Sequence, residues 1–312
     1  MSDLALVTGG AGFLGSHLCD KLLGAGHRVL CLDNFVTGDR SNVAHLEEDS
    51  RFSLVEHDII QPFEAPEAPG LVFHLASPAS PPAYLRLPVE TLEVGSVGTK
   101  NALEIARRAG ARLLFTSTSE IYGDPEISPQ PETYRGSVSC TGPRSVYDEA
   151  KRYGEAMVMA YRRHHGVDTR IVRIFNTFGP RLKPEDGRAV SNFIKQALAG
   201  EPLTIYGDGS QTRSFCFVSD LIDGLMALMT SAYQEPVNIG STDERTILEV
   251  AELVKVKTDS ESPIEFHPLP EDDPLQRRPD ISLADQVLGW APKVSFEDGL
   301  DTTVEWFRSL NQ

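Results

Sequence analysis

Leu4-Ala5-Leu6-Val7-Thr8-Gly9-Gly10-Ala11-Gly12-Phe13-Leu14-Gly15 runs from a short apolar segment straight into glycines at every third position, and a helical pattern follows from Ser16 to Leu23. The order is strand, glycine turn, helix. Glycines at 9, 12 and 15 permit a tight turn, let backbone approach a pyrophosphate and let the helix pack on the strand, while the helix N-terminus favours an anion. A second strand, Arg28-Val29-Leu30-Cys31-Leu32, ends in Asp33, about twenty residues beyond the turn as a dinucleotide site requires. A carboxylate there accepts hydrogen bonds from the adenosine ribose diol and repels a 2′-phosphate, which favours NAD over NADP. Arg40 is the nearby residue that could recruit such a phosphate.

Further apolar segments continue the alternation. Phe52 to Glu56 is a third strand, with Asp58 just beyond it on the adenine side, and Leu71 to Ala76 a fourth. Gln61 to Gly70 reads as a loop. Ser77 to Pro88 holds Pro78, Pro81, Pro82 and Pro88 and is expected to be a loop over the crevice, because internal prolines break helices. Val89 to Arg108 is a long helical stretch with apolar positions at Leu92, Val97, Leu103 and Ile105. Arg112 to Thr116 is a buried strand and Thr169 to Phe175 a sixth. Strands alternating with helices predict a Rossmann-type α/β fold, a doubly wound parallel sheet over residues 1–180, followed by a smaller C-terminal α/β substrate-binding lobe over 181–312. Short strands at Leu203 to Tyr206 and Val237 to Ile239, and helices near 190–199, 218–229 and 247–254, belong to that lobe.

At the carboxyl end of the fifth strand stand Thr116-Ser117-Thr118-Ser119-Glu120, and further on Tyr147-Asp148-Glu149-Ala150-Lys151. A helix would place Tyr147 and Lys151, four apart, on one face. A phenol with a pKa of ~10 is a poor base at neutral pH, but an ammonium beside it favours the phenolate. Tyr147 then becomes a candidate to take a proton from a substrate hydroxyl.

Composition narrows the partners. The chain has 312 residues, 40% of them hydrophobic, and a formal net charge of −16. That charge argues against nucleic acid or an anionic membrane as the main partner. Against it, Arg181, Arg188, Arg213, Arg277 and Arg278 look jointly like a site for phosphates and a carboxylate. Cys19, Cys31, Cys140 and Cys216 lack metal-ligand spacing, so neither a disulfide framework nor a structural zinc is expected. His74 reads as a satisfied core residue. The start of the sequence has no charged leader or long apolar segment, so a cytoplasmic protein is expected.

Together the glycine turn, Asp33, the Thr118/Glu120 cluster and Tyr147-x-x-x-Lys151 resemble the extended short-chain dehydrogenase/reductase superfamily, over nearly the whole chain. More specific strings are His74 to Pro82, Ser117 to Pro125, Pro129 to Glu132, Gly142 to Glu149, Arg173 to Arg181, Tyr206 to Phe215 and Asp272 to Asp280. They are similar to the UDP-glucuronate decarboxylase (UDP-xylose synthase) branch.

The resemblance implies NAD-dependent loss of carbon dioxide from UDP-glucuronate through a 4-keto sugar, with NAD regenerated. It implies catalytic roles for Thr118, Glu120, Tyr147, Lys151 and Arg277. Cofactor contacts are implied for Gly9, Gly12, Phe13, Leu14, Gly15, Asp33, Asn34, Asp58, Ile59 and Ala76, together with Tyr147 and Lys151. Sugar-nucleotide contacts are implied for Tyr84, Arg144, Asn176, Arg188 and Arg213, and pairing of two chains through the helices around 89–108 and 146–164. One departure is Gly95, where that branch usually has Asn, which is expected to loosen a helix or a crevice contact. A UDP-sugar 4-epimerase or a 4,6-dehydratase is the alternative; the dehydratases usually carry Asp-Glu where this chain has Ser119-Glu120.

Overall fold

The computed structural model describes residues 2–269 and 276–310. Strands β1 (Leu4–Thr8), β2 (Arg28–Asp33), β3 (Phe52–Glu56), β4 (Leu71–His74), β5 (Arg112–Thr118) and β6 (Thr169–Ile174) come first. The smaller strands follow: β7 (Thr177–Phe178), β8 (Leu203–Tyr206), β9 (Thr212–Ser214), β10 (Cys216–Phe217), β11 (Val237–Ile239), β12 (Glu244–Thr246), β13 (Ile264–His267) and β14 (Gln276–Arg277). Helices are α1 (Phe13–Gly24), α2 (Pro81–Arg86), α3 (Pro88–Glu93), α4 (Thr99–Ala109), α5 (Ser145–His165), α6 (Ala189–Ala199), α7 (Val218–Thr230), α8 (Ile247–Thr258), α9 (Ser282–Leu288) and α10 (Phe296–Ser309).

Seven strands form one sheet in the order β11-β6-β5-β4-β1-β2-β3, every neighbouring pair parallel. Side chains alternate between its faces with the period of two that a strand imposes. Ala5, Val7, Val29, Cys31, Phe73, Leu114 and Val172 join the core shared with α1 and α7. Leu4, Leu6, Leu30, Leu32, Val72, Leu113, Phe115 and Ile171 join the core shared with α4 and α5. Both faces are covered, which is why these strands read as unbroken apolar runs. Strand order reverses between β1 and β4, and a crevice opens at the carboxyl ends of the strands there.

Three expectations need correction. Residues 77–88 are not all loop: Pro81 and Pro82 open α2, and Pro88 opens α3. Proline is tolerated in a first turn because the N–H it lacks would be unpaired there anyway. The helix expected over 89–108 is interrupted by a π-helical turn, Val94–Gly98, and Leu92 and Val97, expected on its apolar face, are 42% and 46% exposed. Val237–Ile239, expected in the smaller lobe, instead pairs with β6 and closes the edge of the main sheet. The core on that side also runs without a break into Leu203, Val250 and Phe307.

Candidate active site

A cavity of about 1120 Å³ follows the carboxyl ends of the strands, with the glycine turn, Asp33 and Ala76 at one end and Thr118, Glu120, Tyr147, Arg213 and Arg277 at the other. Every residue to which the family resemblance assigned a catalytic, cofactor or sugar-nucleotide contact lines it.

The nucleotide end is set by backbone geometry. Gly9 has φ +71°, and a Cβ there would stand 2.8 Å from the Ala76 backbone. A Cβ on Gly15 would overlap the Gly9 carbonyl oxygen. Gly12 precedes Phe13, and no side chain caps the first turn of α1, so the turn's N–H groups are open to an anion. Phe13, Leu14 and Gly15 carry that turn along the cavity wall.

Asp33 closes the loop after β2: its two oxygens accept from Ala11 N at 2.9 Å and Phe35 N at 2.8 Å. Burial raises its pKa, opposed by those hydrogen bonds and by the charge of Lys183. Asn34 donates to the Asp58 carboxylate at 3.0 Å, and Ile59 lies beside it on the cavity wall. Arg40 pairs with Glu47 at 3.2 Å and does not line the cavity, so it is not placed to recruit a 2′-phosphate. The cradle fits NAD. His74, as expected, is satisfied in the core, bonded to the Thr8 and Thr99 hydroxyls at 2.7 and 3.2 Å.

At the other end β5 delivers Thr118, whose hydroxyl accepts from Glu120 N at 3.2 Å and starts a 3-10 turn over Ser119–Tyr122. Thr118 also stands beside the Tyr147 phenol. Tyr147 is 6% exposed. Burial raises its pKa, and Glu120 and Asp148 add to the rise, while Thr118 and Arg188 oppose it.

Lys151 keeps to the same part of the site: its ammonium donates to the Thr116 carbonyl at 2.9 Å and stands 5.8 Å from the Tyr147 ring centre. Burial lowers its own pKa to about 8.

Glu120 is held between two guanidinium groups, accepting from Arg144 at 2.6 Å and, more closely, from Arg277. Its burial opposes ionisation, but Arg277 and Arg144 outweigh that and hold the carboxyl well below the usual range. Arg277 lies on β14 directly beside Arg213 on β9, and both are buried. Asn176 follows β6, and Arg188, braced by Asp186 at 2.5 Å, immediately precedes α6. Tyr84 is stacked on Tyr147, and among the described residues its hydroxyl has no hydrogen-bond partner.

Two of the five expected arginines behave differently. Arg181 lines the cavity but is tied to Asp20 at 2.7 Å. Arg278 points to Glu244 at 3.8 Å and does not line the cavity. The motif residues Asp272, Asp273, Pro274 and Leu275 lie outside the described residues. Sequence reasoning overlooked Lys183 beside Asp33, and Asp148, which is buried next to Glu120 and raised to about 7, first by burial and then by the Glu120 charge. The one available signal for Asp148 was its place beside Tyr147.

A dinucleotide cradle meeting a buried Tyr-Lys pair and an arginine-rich wall defines an enzyme that works on an anionic substrate with a bound nicotinamide. The chain belongs to the NAD dependent epimerase/dehydratase family, whose model matches residues 5–240. Within reach of it by sequence is UDP-glucuronic acid decarboxylase 1 of Danio rerio, 53% identical over 302 residues, which are 97% of this chain and 72% of that protein. UDP-glucuronic acid decarboxylase 1 of Arabidopsis thaliana is 51% identical over 97% of this chain and 69% of its own.

Among solved structures, a UDP-glucose 4-epimerase with UDP-glucose from Thermotoga maritima superposes with a TM-score of 0.90 at 30% identity, covering 99% of this chain and 100% of that one. A UDP-glucuronic acid 4-epimerase mutant from Bacillus cereus, in complex with a fluorinated UDP-glucuronic acid and NAD, gives 0.86 at 29% identity, covering 98% and 99%.

Proposed function

We propose that this protein decarboxylates UDP-glucuronate to UDP-xylose, with NAD consumed and regenerated in each turnover. The observation that carries this reading is the Arg144–Glu120–Arg277 cluster at the Tyr147 end of the cavity. Guanidinium groups gathered there suit recognition of a substrate carboxylate. Relatives about half identical over nearly the whole chain are decarboxylases by name, whereas the epimerases of the same fold stand near 30%.

The chain's own groups suit the chemistry. Tyr147 takes the proton of the sugar 4-hydroxyl, and Thr118 stands beside the phenol. Bound against Gly9, Gly12, Gly15 and Asp33, the nicotinamide dinucleotide supplies hydride acceptance at carbon 4 and its later return. The resulting ketone lies β to the carboxylate, so the electron pair of the breaking carbon–carbon bond can move into the ketone oxygen. Tyr147 and Thr118 then stabilise that oxygen by hydrogen bonds. Arg277 and Arg144 position the carboxylate, because a guanidinium that gripped it throughout would oppose loss of its charge.

Labour divides along the chain: residues 1–180 hold the dinucleotide and the base, and residues 181–312 bring Arg188, Arg213 and Arg277 to the sugar nucleotide. The working form is a homodimer, supported by apolar side chains that α3, the π turn and α5 turn outward: Val89, Leu92, Val97 and Tyr153 are 61%, 42%, 46% and 49% exposed. Its mass in solution checks that. The cytoplasm suits four free thiols; among the described residues no helix is long and apolar enough to cross a membrane.

The deciding experiment supplies purified protein with carboxyl-labelled UDP-glucuronate and catalytic NAD. Labelled gas together with a UDP-pentose supports the decarboxylase. UDP-galacturonate without gas would mean a 4-epimerase, and a dehydrated sugar from a UDP-hexose would mean a 4,6-dehydratase.

A further inference from the structure

Asp148 is a buried carboxyl for which the reaction outlined above has no use. It is 6% exposed, and among the described residues its Oδ1 has no hydrogen-bond partner, a costly arrangement unless function retains it. It faces a second, small cavity of about 60 Å³, room for about two waters. Glu120, Arg144 and Arg277 line this cavity and the large one alike, so they form the partition between Asp148 and the substrate. The charged groups around Asp148 are Glu120 from the turn after β5, Arg144 before α5, Arg277 from β14 and Glu149 on its own helix. Asp124 lines the same small cavity, and the phenols of Tyr84 and Tyr147 are also near.

We propose that Asp148 is the proton reservoir for carbon 5, delivering its proton through the Glu120 partition after carbon dioxide has left. The inference rests on the decarboxylase reading. In the step, the bond between carbon 5 and the carboxyl carbon breaks, and its electron pair forms the carbon 4–carbon 5 double bond of an enolate. Carbon 5 of the enolate takes the proton, a new carbon–hydrogen bond forms, the ketone is restored and Asp148 is left as a carboxylate. Solvent reprotonates it between turnovers.

The electron pair left behind by carbon dioxide keeps its negative charge on the enolate until carbon 5 takes a proton. An acid close behind the substrate that gives up its proton converts that enolate charge into its own carboxylate, which Arg144 and Arg277 can face. Glu120, held ionised by its two arginines, passes a proton on but does not store one. Burial, and then the Glu120 charge, hold Asp148 at about 7, so a large share of it is protonated near neutral pH.

Asp148 is a positioning and relay residue, and its test must separate relay from structure. In Asp148→Asn supplied with carboxyl-labelled UDP-glucuronate and NAD, gas release is expected to stay within a few-fold of wild type. UDP-xylose formation should fall by about 100-fold or more, with UDP-4-keto-pentose released in its place. Equal loss of gas and pentose, or pentose formed at the wild-type rate, overturns the inference. Wild type gives an independent reading should the variant misfold: the share of 4-keto product per gas released should rise as pH is raised through about 7. A constant share between pH ~6 and ~8 overturns the inference too. If wild type releases no gas at all, the decarboxylase reading itself fails, and the inference with it.

Discussion

The Tyr84 ring lies flat on the Tyr147 ring, their centres 5.2 Å apart and their planes 6° from parallel. Tyr84 is 1% exposed, yet among the described residues its hydroxyl has no partner. An unsatisfied buried hydroxyl costs about 1–3 kcal/mol, which a polar ligand in the cavity would recover. Tyr84→Phe should keep the stacking, raise the free enzyme's unfolding free energy by about 1 kcal/mol and weaken binding of the sugar nucleotide. Denaturant titration and calorimetry with UDP-glucuronate read the two effects, and a variant that loses stability and keeps its affinity would contradict the assignment.

Tyr147→Phe removes the proposed base without removing the ring that Tyr84 covers. Turnover should fall by about 10²-fold or more, while NAD affinity changes little, because the Gly9 to Gly15 cradle and Asp33 are untouched. Rates of gas release and equilibrium binding of NAD separate the two. Activity retained in the variant would mean that another group takes the 4-hydroxyl proton.

Lys151 is charged in a place that penalises charge. Its pKa is lowered from 10.5 to about 8 by burial alone, so between those values the unfolded chain binds a proton that the folded chain has released. Folding stability should therefore rise with pH across that window, by about 3 kcal/mol from this group. Below pH ~8 the full penalty is present, and above ~10.5 it is gone. Lys151→Met should be inactive and more stable than wild type at neutral pH, with the difference shrinking as pH climbs. Paired urea titrations at pH ~7 and ~10 test the sign; a difference that grows with pH would refute it.

Local signals made much of the scaffold legible. The apolar run of β1, the glycine turn and the second strand ending in Asp33 each depend on residues near in sequence, and the structure keeps them. The helix spacing of Tyr147 and Lys151 was equally local. What it could not reveal is that the Lys151 ammonium binds the carbonyl of Thr116, thirty-five residues away. Proline position mattered more than proline number: Pro81, Pro82 and Pro88 sit where a helix starts, so a stretch that looked unable to form helix forms two. Val237–Ile239 is too short to declare its sheet, and long-range pairing with β6 decided it. Asp148 stayed hidden because the charged groups around it, Glu120, Arg144 and Arg277, meet only in the folded chain.

Gly95, expected to loosen its surroundings, does the opposite. It lies in the π-helical turn, and a Cβ built on it would stand 2.6 Å from the Ala150 Cβ and 3.1 Å from the Ala150 backbone oxygen. Absence of a side chain at 95 thus lets the turn press against α5 one residue before Lys151. Gly95→Asn must push α5 away, and overpacking of this kind typically costs about 1–3 kcal/mol. Because α5 carries Tyr147, Asp148 and Lys151, turnover should fall along with stability. The methyl group of Ala150 is half of the collision, so Ala150→Gly in the same chain should recover part of both losses. On its own, Ala150→Gly should cost about 1 kcal/mol through lost helix propensity. A double-mutant cycle on urea midpoints and on gas release measures the coupling. Additive losses would mean that Gly95 and Ala150 do not press on each other, and that the tolerance of Gly95 has another origin.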